Sequence, residues 1–351
     1  MRHAFVAARA IFLTCSSGLA CRAVNVHPDF AIRREDVTIQ SGAITLAGTL
    51  VLPGAPGRRP AIVVLHGSGP DTRADLESDA KWFSEQGLVV LMYDKRGVGK
   101  STGNLGLASY EELATDALAA VALLRLRPEV DPTRIGVWGP SEGGWVAPIA
   151  AAQSPDIAFV ILKSGIAVTP EEQMDYAWRN SLRAKNAPES TIVAIEHARK
   201  LVWTYARTGE GEAEARAALD LAKKLPGFPS DPESVGLVAQ VPPFSVLNDP
   251  SLADKMFFVR TRSRFEPRPF LERVRVPTLA VLGQGDTDTP VDRTASVLRD
   301  AFRRSGNADL AVVILPGDDH YLEHATASGK REMDPEYYRV VRDWLARHRF
   351  L

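Results

Sequence analysis

Ser141 lies in Gly139-Pro140-Ser141-Glu142-Gly143, a serine flanked by glycines with G-x-S-x-G spacing. The spacing suits a nucleophile because the glycines let the backbone turn sharply and push the hydroxyl clear of its neighbours. A serine hydroxyl is a weak nucleophile at neutral pH and needs a base, usually His, oriented by a carboxylate. Of the seven histidines, His3 and His27 lie in the N-terminal stretch, His66 precedes the serine, His197 sits in a helical block and His348 is near the C-terminus. His320 and His324 remain, and His320 ranks first because it follows an apolar strand through the turn Pro316-Gly317-Asp318-Asp319. The carboxylate should follow an earlier strand. Leu282-Gly283-Gln284-Gly285-Asp286-Thr287-Asp288 offers Asp286 directly after the glycine-rich turn, with Asp288 second.

Attack on a carbonyl builds charge on its oxygen, which preorganised N–H groups must meet. The N–H of Glu142, next to the serine, is one expected donor. His66-Gly67-Ser68-Gly69-Pro70 supplies the other, from Gly67 or Ser68. In Tyr93-Asp94-Lys95-Arg96-Gly97-Val98-Gly99-Lys100-Ser101 a phosphate loop fails, because Asp94 stands where its first glycine would be. The segment reads instead as a tight turn braced by an Asp94–Arg96 pair.

These residues need a scaffold. Val37-Thr38-Ile39 and Ile44-Thr45-Leu46 flank Ser41-Gly42 as a hairpin. The continuous apolar run at 61–65 suits a strand buried on both faces, and further strands are expected at 88–93, 134–138, 158–162, 278–282 and 311–315. Helical segments near 76–86, 109–126, 141–152, 291–304 and 335–348 separate them. Such alternation predicts a mostly parallel sheet with helices on both faces. Residues 166–270 break the alternation with charged helical sequence. They are expected to form a helical cap over the strand ends, inserted between core segments 36–165 and 271–351. Trp178, Trp203 and Tyr205 read as the core of that cap.

With 45% hydrophobic and 24% charged residues, 351 residues suffice for a large core. Lys plus Arg (42) balances Asp plus Glu (43), and without a basic cluster nucleic acid is excluded as a partner. At the N-terminus Arg2 and Arg9 precede the apolar, small-residue stretch Ala10–Ala20, which predicts a signal peptide over 1–20 and export to the periplasm or medium. The run is too short for a stable membrane span. Gly18 is a poor match to a lipidation signal at Cys21, so anchoring there is disfavoured. Cys15 and Cys21 are the only cysteines, which leaves no internal disulfide.

Together these features resemble the α/β-hydrolase superfamily over roughly 37–165 and 275–350. Within it the chain is similar to bacterial serine esterases and prolyl-aminopeptidase-type hydrolases. Leu46–Leu50, His66–Pro70, Asp94–Ser101 and Ser141–Gly144 carry the likeness. It implies cleavage of a small-molecule ester, or a short acyl or peptidyl substrate, through an acyl-enzyme without cofactor or metal. Pro140 departs from the many relatives with His or another polar residue there. An aminopeptidase would need an amine anchor such as Glu171, Glu172 or Asp175. A binding protein that kept the fold without catalysis is the reading of another class.

Overall fold

The computed structural model describes residues 32–54, 57–229, 253–326 and 329–351. The predicted signal segment, Cys15 and Cys21 lie outside them. Eight strands form one sheet in the order β1-β2-β4-β3-β5-β6-β7-β8. These are β1 (Arg33–Ser41), β2 (Ile44–Leu52), β3 (Arg59–Val64), β4 (Val89–Tyr93), β5 (Val130–Pro140), β6 (Phe159–Lys163), β7 (Thr278–Gly283) and β8 (Leu310–Leu315). β1 and β2 form the expected hairpin, with Ser41 opposite Ile44. β2 runs antiparallel to β4, and β3 to β8 are mutually parallel.

The apolar runs are strands because both faces are covered. On one side α2 (Tyr110–Arg125), α3 (Gly143–Gln153) and α8 (Val291–Ser305) pack against the sheet through Leu113, Ala147 and Leu298. On the other, α1 (Glu77–Glu85) and α9 (Pro335–Arg347) bring Phe83, Tyr337 and Trp344. Local signals agree with this packing. Ser109 and Glu112 form a reciprocal cap at the start of α2, and Gly306 ends α8 in the left-handed conformation.

Between β6 and β7 the chain leaves the sheet for α4 (Pro170–Ala184), α5 (Glu189–Thr208), α6 (Glu212–Ala222) and α7 (Ala253–Arg260). Trp203 is fully buried among Val202, Ala206, Ala215, Met256 and Val259, so this block has its own apolar centre. A short hairpin of β9 (Glu323–Ala325) and β10 (Arg331–Met333) lies between β8 and α9. Three-residue strands have too little periodicity to read in advance. No helix among the described residues is long and apolar enough to cross a membrane.

Candidate active site

β5 delivers Ser141 to the C-terminal edge of the parallel strands. Its φ of +49° lies in the left-handed region, which costs a non-glycine residue roughly 1–2 kcal/mol. The surroundings hold that conformation. Ser141 N donates to the Lys163 carbonyl (3.0 Å), and its own carbonyl accepts from Gly144 (2.8 Å) and Ile166 (3.1 Å). A Cβ on Gly139 would meet the Gly143 carbonyl oxygen at 2.5 Å, so only glycine lets α3 fold back this close. The helix therefore begins at Gly143 rather than at 141, because Ser141 belongs to the turn.

The loops after β7 and β8 bring two more predicted residues here. His320 Nε2 lies 3.0 Å from Ser141 Oγ, and His320 Nδ1 lies 2.8 Å from Asp286 Oδ2. Asp286 is buried, and its Oδ1 accepts from the N–H groups of Asp288 (2.8 Å) and Thr289 (2.7 Å). Thr289 Oγ1 approaches His320 Nδ1 at 3.4 Å. Burial works to lower the His320 pKa. The hydrogen bond and charge of Asp286, with Asp288 and Asp319, outweigh it and raise the pKa above the ordinary 6.5. Of the second-ranked residues, Asp288 stands beside this pair, while His324 lies on β9 with Nδ1 3.6 Å from Asp318.

Opposite the serine, the loop after β3 comes close. A Cβ on Gly67 would lie 3.8 Å from Ser141 Cβ. The N–H groups of Gly67, Ser68 and Glu142 donate to no acceptor among the described residues. Lys95 orders this corner, a role the sequence did not disclose. Its ammonium donates to the Glu142 carboxylate (2.6 Å) and to the carbonyls of Gly67 (2.7 Å) and Gly69 (3.3 Å). Both side chains of the Lys95–Glu142 pair are buried. Neighbouring His66 makes a 2.6 Å bond to the Tyr93 carbonyl. Burial, reinforced by the Lys95 charge, pushes its pKa down to about 3, so it is neutral.

The expected Asp94–Arg96 pair does not form. Arg96 pairs with Asp116 (2.7 and 2.8 Å) on α2, because the buried Asp116 carboxylate offers a fork that matches the guanidinium. Asp94 braces the turn alone, accepting from the N–H groups of Arg73 (3.0 Å) and Lys100 (2.9 Å). Gly99 has φ +57°, and a Cβ there would come within 2.5 Å of Asp94 Oδ2.

A cavity of about 670 Å³ opens between these loops and α4, α5 and α7. Ser68, Glu142, Trp145, Met174, Trp178 and Phe258 line it. Trp178 thus serves both as packing for α4 and as cavity wall. α4 is fastened to the acid-bearing loop by three side chains on one face. Gln173 donates to the Asp288 carbonyl (2.8 Å), Tyr176 to that of Asp286 (3.1 Å) and Asn180 to that of Thr287 (3.0 Å). The acidic residues considered as amine anchors are already paired. Glu171 meets Arg207 (3.1 Å), Glu172 meets Arg293 (3.0 Å) and Asp175 meets the buried Arg199.

Comparison with known proteins agrees with this architecture. The family model described as serine aminopeptidase, S33, matches residues 56–325. An uncharacterised protein of Mycobacterium tuberculosis is 30% identical over 235 residues, covering 66% of this chain and 78% of that protein. Esterase EstD of Thermotoga maritima is 29% identical over 181 residues, covering 49% of this chain and 42% of EstD. The crystal structure of the α/β hydrolase GrgF from a Penicillium species superposes with a TM-score of 0.59 at 21% identity, covering 90% of this chain and 99% of GrgF. The parallel sheet, its strand order and the match over residues 56–325 place the chain in the serine aminopeptidase S33 family of α/β hydrolases.

Proposed function

We propose that this hydrolase cleaves carboxylic esters through an acyl-enzyme, with Ser141 as nucleophile, His320 as base and Asp286 as the group that orients the imidazole. The unbroken chain Ser141 Oγ–His320–Asp286, with links of 3.0 and 2.8 Å, carries the reading. His320 Nε2 takes the proton as Ser141 attacks the carbonyl carbon, then delivers it to the leaving alcohol. Asp286 fixes the tautomer by accepting from Nδ1, and its other oxygen is held by two N–H groups. The N–H of Glu142 and that of Gly67 or Ser68 meet the developing oxyanion, each commonly worth about 3 kcal/mol. Water activated by His320 then releases the acid. The helices between β6 and β7 act as the cap that bounds the acyl or alcohol group, and the apolar cavity wall supports a hydrophobic moiety there. Export, supported by Arg2, Arg9 and Ala10–Ala20, is part of the proposal, and N-terminal sequencing of the mature protein tests it.

The aminopeptidase reading draws on the family's description. The ester reading ranks above it because Glu171 and Glu172, two of the carboxylates considered for a substrate amine, are each matched by an arginine. Fluorophosphonate labelling with site mapping tests the nucleophile. Label confined to Ser141 and absent from Ser141→Ala is expected, and a folded protein that takes no label would favour a non-catalytic binding protein. Comparing aryl esters with amino-acid arylamides then separates the two hydrolytic readings.

A further inference from the structure

Asp318, His324 and Asp334 converge at the base of the loop that carries His320. Each offers one ligand atom, and the three atoms lie within 4.8 Å of one another. Asp318 follows β8, His324 is on β9 and Asp334 caps α9. Backbone bonds from Asp334 N to the Leu322 carbonyl (2.9 Å) and from Asp319 N to the Glu323 carbonyl (3.0 Å) bring these segments together.

The cluster is unusual because of what it leaves unmet. Asp318 is fully buried, yet neither carboxylate oxygen has a hydrogen-bond partner among the described residues, and neither does His324 Nδ1. A buried carboxylate without donors costs several kcal/mol unless it is neutralised. A second carboxylate, Asp334, faces it, with one oxygen already accepting from Glu336 N (2.8 Å). His324 Nδ1 stands 3.6 Å from Asp318 Oδ1, too long for a hydrogen bond. It is close to the roughly 3.4 Å that separates two ligands of one tetrahedral Zn²⁺ held at about 2.1 Å.

We propose that Asp318, His324 and Asp334 bind a divalent cation of the Zn²⁺ type, which ties β8, the β9–β10 hairpin and α9 together beneath the His320 loop. Imidazole with two carboxylates suits such an ion, and the half-exposed His324 leaves a path for entry and a position for water. The Asp318 carbonyl accepts from Gly285 N (2.7 Å), so the bound ion steadies the Asp286 turn as well as the His320 loop. Its role is structural, outside the Ser141–His320–Asp286 chain. The competing occupant is a proton shared between the two carboxyls.

The test is calorimetric titration of the chelator-treated full chain with Zn²⁺, with metal content measured after gel filtration. One equivalent is expected, together with a rise in melting temperature. His324→Ala and Asp318→Asn should each weaken uptake at least about tenfold. Asp288→Asn should leave uptake intact, which separates this cluster from Asp286, Asp288 and His320, the other grouping able to hold an ion. Asp318→Asn changes a buried group, so if it fails to fold, His324→Ala decides, with circular dichroism to show that it is folded. No uptake by the wild type, or unchanged uptake by His324→Ala, would overturn the proposal and leave the shared proton as occupant.

Discussion

Lys95 and Glu142 form a buried 2.6 Å ion pair directly beneath the serine turn, and the same ammonium holds the carbonyls of Gly67 and Gly69. Removing one partner of such a pair strands a buried charge. Lys95→Met should therefore cost about 3–5 kcal/mol in urea unfolding. Lys95→Met with Glu142→Gln should recover part of the stability but not the turnover, because the loop bearing Gly67 has lost its anchor. Full recovery of kcat by the double variant would refute the positioning role.

Ester hydrolysis should rise with pH as His320 loses its proton, with a midpoint above the ordinary 6.5 because Asp286, Asp288 and Asp319 favour the imidazolium over the opposing effect of burial. Asp286→Asn should lower kcat by about 10⁴ and move the midpoint toward acid. The raised value also bears on stability. His320 contributes stability that is fully present below about 6.5 and lost as pH rises through its folded pKa. Chemical denaturation across that range should show the decline, and His320→Gln should remove it.

Ser141→Ala should abolish labelling and reduce kcat by about 10⁴ to 10⁶. Ser141→Gly should do the same but prove more stable than Ser141→Ala by about 1 kcal/mol, because glycine accepts φ +49° without strain. Equal melting temperatures for the two would mean that the turn stores no such strain.

Glu171→Gln should leave kcat/KM within about twofold for aryl esters, since Glu171 already pairs with Arg207 at 3.1 Å. A large, selective loss on amino-acid arylamides would instead identify Glu171 as the amine anchor and favour peptidase chemistry.

Much of this was legible in the sequence, for reasons particular residues make plain. Ser141, Asp286 and His320 each come after an apolar strand, fully buried in the case of β7 and of the end of β5 and half-buried in the edge strand β8, and such strands need apolar side chains whatever surrounds them. Strand ends therefore marked where chemistry could stand. Arg96 went to the wrong partner because Asp116 is twenty residues away on α2, and only the fold brings it within 2.7 Å. Lys95 was invisible for the same reason, since its three acceptors lie on two other loops. The strands Glu323–Ala325 and Arg331–Met333 were too short to announce themselves.

Gln173, Tyr176 and Asn180 grip three consecutive backbone carbonyls rather than side chains. A carbonyl is present whatever residue bears it. The cavity-lining helix α4 is thus registered to the Asp286 loop by contacts indifferent to that loop's sequence. Mutation can rewrite the side chains of residues 287 and 288, or Met174 and Trp178 on the cavity face of α4, without unhooking one from the other. Such an attachment leaves the shape of the cavity wall free to change while Asp286 and α4 stay in register.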